Sequence, residues 1–185
     1  DRDIIMKTTF KLILSAMFLA LGLTLPFLTG QIPQIGNLLL PMHIPVFLCA
    51  FICGWQYGGI VGFITPLLRC FIFGVPFLYP NAISMAFELC TYAIVCGLIY
   101  HYFKKKNIFS IYCSMLPAMV LGRVVWGVMQ VILLGIKDIT FSFSMFISGA
   151  ILNAIPGIII QLILVPAIVT ALQYSHVLDG RRICE

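Results

Sequence analysis

The stretch Pro66–Glu88, PLLRCFIFGVPFLYPNAISMAFE, decides how the whole chain is read. It places an arginine, two proline-punctuated turns and a glutamate inside an otherwise apolar sequence. Ionic side chains at helix depth in a bilayer are costly and turn toward the protein interior or water. Arg69 and Glu88 are therefore expected on two adjacent helices joined by a short loop, facing a shared polar space. Two readings of the pair stand open. Each side chain contacts a solute, or the two pair with each other and lock their helices.

Composition supports lipid as the solvent. The chain of 185 residues is 62% hydrophobic and only 9% charged, whereas a soluble globule carries about 25% charged residues. One domain over 1–185 suits the length. The net charge is +5, from 11 Lys and Arg against 6 Asp and Glu. The positive residues gather at segment ends (Lys7, Lys11, Lys104–Lys106, Arg181 and Arg182), which is the distribution of membrane flanks and not a nucleic-acid-binding face. Of seven cysteines, all but Cys184 lie in apolar runs. An odd count in such places argues against a disulfide framework, and Cys49 and Cys53 read as packing residues, with no metal site expected. The basic start of the first apolar run resembles a signal peptide, but no small-x-small cleavage site follows, so that run is read as a membrane helix.

In chain order, the pattern predicts an all-α integral membrane protein with six transmembrane helices. They fall at 12–25 (starting near Thr8), 43–60, 61–74, 82–103, 111–135 and 144–172. Pro, Gly, Gln and Asn between 26 and 42 predict a loop folded over one mouth of the protein. Further loops are expected at 75–81 and 136–143. Gly54, Gly58 and Gly62 step by four, which predicts close helix approach or a tight break. Ala16 and Ala20 share the same spacing, and dock either on the chain's own helices or on a partner membrane protein. The positive-inside rule then places both termini in the cytoplasm.

This topology brings the polar side chains to one depth. Arg69 and Glu88 each lie roughly 8–9 Å below the outer ends of their helices at 1.5 Å per residue. His43 stands at the outer start of its helix, and Asn153 descends a similar distance on the last. Arg123 and Gln130 are seven apart and share a helix face. Tyr79, Asn81, Tyr92 and Trp126 are expected as walls. A mostly apolar pocket with a few convergent polar groups is the form of a small-molecule site. Plainer roles compete at each position: a cap or turn for His43, helix glue for Asn153, and for Arg123 a carbonyl contact or a pairing with Glu88. No phosphate-binding loop, HExxH, GxSxG or hydrolytic carboxylate pair is present, so no catalytic residues are assigned. A ligand-free scaffold or assembly subunit and a stand-alone ion-coupled carrier remain as alternatives, although no repeat of broken helices supports the latter.

Several segments together resemble a known family. They are Ala16-x-x-x-Ala20, the PMHIP run at 41–45, GWQYG and GxxxP across 54–66, PLLR at 66–69, YPNA and MAFE within 79–88, and GRVVWG at 122–127. This set is similar to the substrate-capture (S) components of energy-coupling factor (ECF) transporters, over nearly the whole chain. The resemblance implies capture of a water-soluble vitamin at an outward-facing site in a bacterial plasma membrane, with the first loop as a lid. It implies a transmembrane coupling subunit, met by Ala16 and Ala20, and two cytoplasmic ATPase subunits that use the ATP, this chain needing no cofactor. The subgroup it most resembles is the pantothenate or hydroxymethylpyrimidine type. A guanidinium at Arg69 or Arg123 favours a carboxylate ligand through its bidentate fork, which favours pantothenate. Glu88 instead suits an amine-bearing base, so a pyrimidine, pyridoxine-like or deazapurine compound stands as the alternative.

Overall fold

The computed structural model describes residues 2–28, 41–103, 107–136 and 154–174. All regular structure there is helical: α1 (Arg2–Leu28), α2 (His43–Ile52), α3 (Trp55–Phe73), α4 (Ile83–Tyr102), α5 (Ile108–Gly135) and α6 (Ile155–Tyr174). A short π-helical turn, Leu78–Ala82, leads into α4. Asn153, the basic run Lys104–Lys106, Arg181 and Arg182 lie outside the described residues, as do most of the expected loops 26–42 and 136–143.

Among the described residues, five helices are long and apolar enough to cross a membrane, and α2 is not. The helix expected at 43–60 stops at Ile52, and the one expected at 61–74 begins at Trp55. The break falls at Gly54, whose φ of 99° lies in a region that side-chain-bearing residues rarely adopt. Ten residues extend about 15 Å, half of a hydrocarbon core of about 30 Å. Every residue of α2 is buried. It is thus a core element enclosed by the longer helices, and its continuous hydrophobicity reflects burial on all sides. Elsewhere α1 continues through Pro26, where a loop was expected. The expected helices at 82–103 and 111–135 correspond closely to α4 and α5.

Small residues let these helices approach. A Cβ at Gly62 would lie 2.7 Å from the Leu89 carbonyl oxygen on α4, and one at Gly58 would lie 2.8 Å from Ala50 Cα on α2. In lipid, helix association relies on such close packing because burial of apolar surface gives little drive. α4 and α5 form an antiparallel seam. The Tyr79 hydroxyl donates to the Leu133 carbonyl, and Gln130 Nε2 donates to Asn81 Oδ1 at 3.3 Å. The end where α3 stops and α4 starts is termed the upper end below.

Replacement of Gly62 by alanine is expected to push α3 from α4 and destabilise the protein by about 1–3 kcal/mol. Gly135→Ala, with open space around its Cβ position, should be neutral or slightly stabilising. Thermal unfolding in detergent compares the two. Equal melting temperatures would refute the close-contact account.

Candidate functional site

Glu88 is the centre of the polar interior. It sits one and a half turns below the start of α4 and is only 1% exposed. Its Oε1 receives three neighbours. Arg123 Nη1 on α5 lies at 3.0 Å, the Tyr92 hydroxyl donates at 2.9 Å, and His43 Nε2 lies at 3.7 Å. Local helix geometry explains the first two. Tyr92 follows Glu88 by four residues and so occupies the same face of α4. Arg123 lies seven residues before Gln130, as Glu88 lies seven after Asn81, so the Asn81–Gln130 contact and the ion pair are two rungs of one antiparallel seam, about 10 Å apart.

Tyr92 is held on three sides. Its ring stacks on Phe47 of α2 at 5.4 Å and meets the His43 ring at 5.3 Å. On α5 a Cβ at Gly122 would lie 2.4 Å from Tyr92 Cε1, too close for any side chain. His43 and Phe47 are four apart on α2 and thus clamp the tyrosine together.

The cluster leaves donors unused. Arg123 Nε and Nη2 and both ring nitrogens of His43 are buried with no hydrogen-bond partner among the described residues. An unmatched buried donor loses its hydration without compensation, at about 1–3 kcal/mol, and more for a charged group. Arg123 carries two such donors, and His43 two further unmatched ring nitrogens, of which a neutral imidazole donates from one and accepts at the other. Gln161 Nε2 on α6 is also buried and unmatched.

One protein-family model, described as "ECF transporter, substrate-specific component", matches residues 10–169. The chain belongs to this family. No curated protein and no solved structure matches it. This ECF substrate-specific component is accordingly a multi-pass membrane protein of transport, not an enzyme. Its role is to bind a small-molecule substrate and to work with the partner subunits of an ECF transporter.

In the ECF component the residues singled out by sequence separate into groups. His43, Glu88, Tyr92 and Arg123 come together. Tyr79 and Asn81 stand above them on the same seam, and Trp126 sits one turn above Arg123 on α5. Arg69 takes another direction. Its Nη1 donates to the Leu23 carbonyl of α1 at 3.1 Å, and its guanidinium lies 5.7 Å from the Phe27 ring and 5.9 Å from the Phe73 ring. Among the described residues it makes no ion pair, so the partner of Glu88 is Arg123 and the alternative Arg69–Glu88 pair is not formed. Pro26, one turn beyond Leu23, deletes a helix bond to the neighbouring carbonyl, and Arg69 reinforces the weakened turn. Sequence spacing fixed the depth of Arg69 but not the face it presents. Ala16 and Ala20 are both exposed, while Ser15, Phe18 and Gly22 supply the inward face of α1. Gln130, recognised only as sharing a face with Arg123, proves to be the Asn81 partner. The heptad spacing on each helix was the available signal.

A double-mutant cycle tests the ion pair. Glu88→Gln and Arg123→Gln should each destabilise the protein, and together cost less than their sum by about 1–3 kcal/mol. Strict additivity in unfolding measurements would show the pair to be uncoupled.

Proposed function

We propose that this component captures a water-soluble vitamin, with pantothenate as the preferred ligand, at its upper end, and releases it for import driven by partner subunits. The observation that carries the reading is the unfilled Nε–Nη2 edge of Arg123, buried beside His43 and braced by Glu88. That edge offers two parallel donors, the geometry that recognises a carboxylate. Glu88, Tyr92, Tyr79, Asn81 and Trp126 supply the polar contacts and aromatic walls for the rest of the ligand. Arg69 serves here as a brace between α1 and α3.

The upper end faces the extracellular side in this reading, and both termini are cytoplasmic. In sequence, the lysines and arginines cluster before or early in α1, between α4 and α5, and after α6, the flanks that the positive-inside rule assigns to the cytoplasm. The partners are a transmembrane coupling subunit and two cytoplasmic ATPases that consume the ATP. Ala16 and Ala20 favour docking of the coupling subunit on α1. They are exposed among the described residues, and small residues in that spacing admit a close-packed helix.

Calorimetry with a panel of water-soluble vitamins, and mass spectrometry of small molecules that co-purify with the protein, test the capture reading. Binding by the isolated chain is expected. A folded protein that binds no member of the panel and carries no co-purified ligand would instead indicate an assembly subunit. Arg123→Gln should weaken binding at least tenfold, about 1.4 kcal/mol. Arg69→Ala should lower the melting temperature yet keep affinity within about threefold, since cation–π and carbonyl contacts are worth about 1–2 kcal/mol to stability. Ala16→Leu and Ala20→Leu should leave vitamin binding intact and reduce uptake by the full transporter. Loss of binding in either variant would place α1 in the ligand site instead.

A further inference from the structure

The charge balance of the cluster has a consequence for the ligand. Glu88 and Arg123 cancel, and Tyr92 enters as a neutral donor. A carboxylate seated on the free edge of Arg123 adds one negative charge to a site walled by apolar helices. Buried charge without a counter-charge is strongly disfavoured. A proton taken up by a nearby group answers that charge, and Glu88 is already engaged as a carboxylate by Arg123 Nη1 at 3.0 Å and the Tyr92 hydroxyl at 2.9 Å.

His43 is that group. It is 1% exposed, and both ring nitrogens lack hydrogen-bond partners among the described residues. Its Nε2 and Arg123 Nη1 approach the same oxygen of Glu88, so imidazole and guanidinium are neighbours. It is also the first residue of α2, whose N-terminus has no side-chain cap and presents a partial positive charge upward. Among the described residues, the titratable groups turned toward it are Glu88 and Tyr92 from α4, with Arg123 from α5 on the same carboxylate oxygen. On α3, Arg69 is turned to α1. On α1, the buried residues Ser15, Phe18 and Gly22 are uncharged, and on α6 the buried Gln161 is uncharged. Cys49 on α2 itself is held away, with its thiol on Ser15.

We propose that the ligand's carboxylate seats between the Nε–Nη2 edge of Arg123 and His43, and that His43 takes up one proton from solvent as it enters. The proton adds to the unprotonated ring nitrogen, giving an imidazolium flanked by Glu88 and the ligand carboxylate. The occupied site then holds two positive and two negative charges. This inference rests on the capture reading above, and it makes capture stronger in acid.

Calorimetry on the full chain in lipid nanodiscs, titrated with pantothenate, decides the matter. At one pH, in buffers of differing ionisation enthalpy, the observed heat should shift by close to one proton taken up per ligand. Affinity should be higher at acid than at alkaline pH, because the bound state carries the extra proton. Panthenol, in which an alcohol replaces the carboxylate, should bind more weakly and without proton uptake. His43→Gln should bind pantothenate with an affinity that no longer depends on pH. If that variant folds poorly, the buffer comparison on the unaltered protein still decides. Pantothenate binding with no buffer dependence would overturn the proton step and leave capture standing. Binding of only carboxylate-free vitamins would overturn the carboxylate seat. Failure to bind any vitamin would remove the capture reading and this inference with it.

Discussion

A carboxylate buried among membrane helices is tolerable only when its charge is answered at contact distance, and the interior of this protein is arranged around that requirement. Glu88 on α4 draws Arg123 from α5, Tyr92 from its own helix and His43 from α2. Three elements are thereby fixed to one atom. The geometry allows no substitute for tight packing, because Tyr92 reaches its place only where Gly122 leaves room. Such a pair is weak evidence for net stability, since desolvation offsets much of the attraction. Its value here is specificity: it sets which faces of α2, α4 and α5 meet.

The short α2 makes the arrangement possible. A full-length second helix would cross the bilayer beside the others. A ten-residue helix, wholly buried and turned back at Gly54, instead begins inside the bundle with His43 beside the ion pair. The fold thus places a helix start, with its partial positive charge, in the polar layer. The same device serves ion sites elsewhere in membrane proteins, where a helix begins or ends within the membrane. The chain belongs to the substrate-specific components of ECF transporters, and in the proposed reading these unmatched polar atoms receive the substrate.

Two arginines at membrane depth have opposite roles, and their sequence contexts hardly differ. Arg69 and Arg123 both interrupt apolar helices. Arg69 is spent on a carbonyl of α1 and two phenylalanine rings, next to the turn that Pro26 weakens. Arg123 keeps Nε and Nη2 without a hydrogen-bond partner among the described residues. Helical spacing gives depth along an axis reliably. It does not give rotation about that axis relative to neighbours, and rotation decides which partner a long side chain finds.

Much of the protein is legible in the chain itself. The apolar runs, the charge distribution and the punctuation by Pro and Gly dictate a helical membrane protein, because lipid leaves the backbone no other economical way to satisfy its polar groups. The spacings Glu88–Tyr92 and Arg123–Gln130 fix which residues share a face. Only the tertiary structure decides that α2 is a half-length core helix, that Arg123 and not Arg69 answers Glu88, and that Ala16 and Ala20 look outward. Those outcomes depend on how helices rotate and cross, which is settled by contacts between residues far apart in sequence and leaves no periodic trace within any one segment.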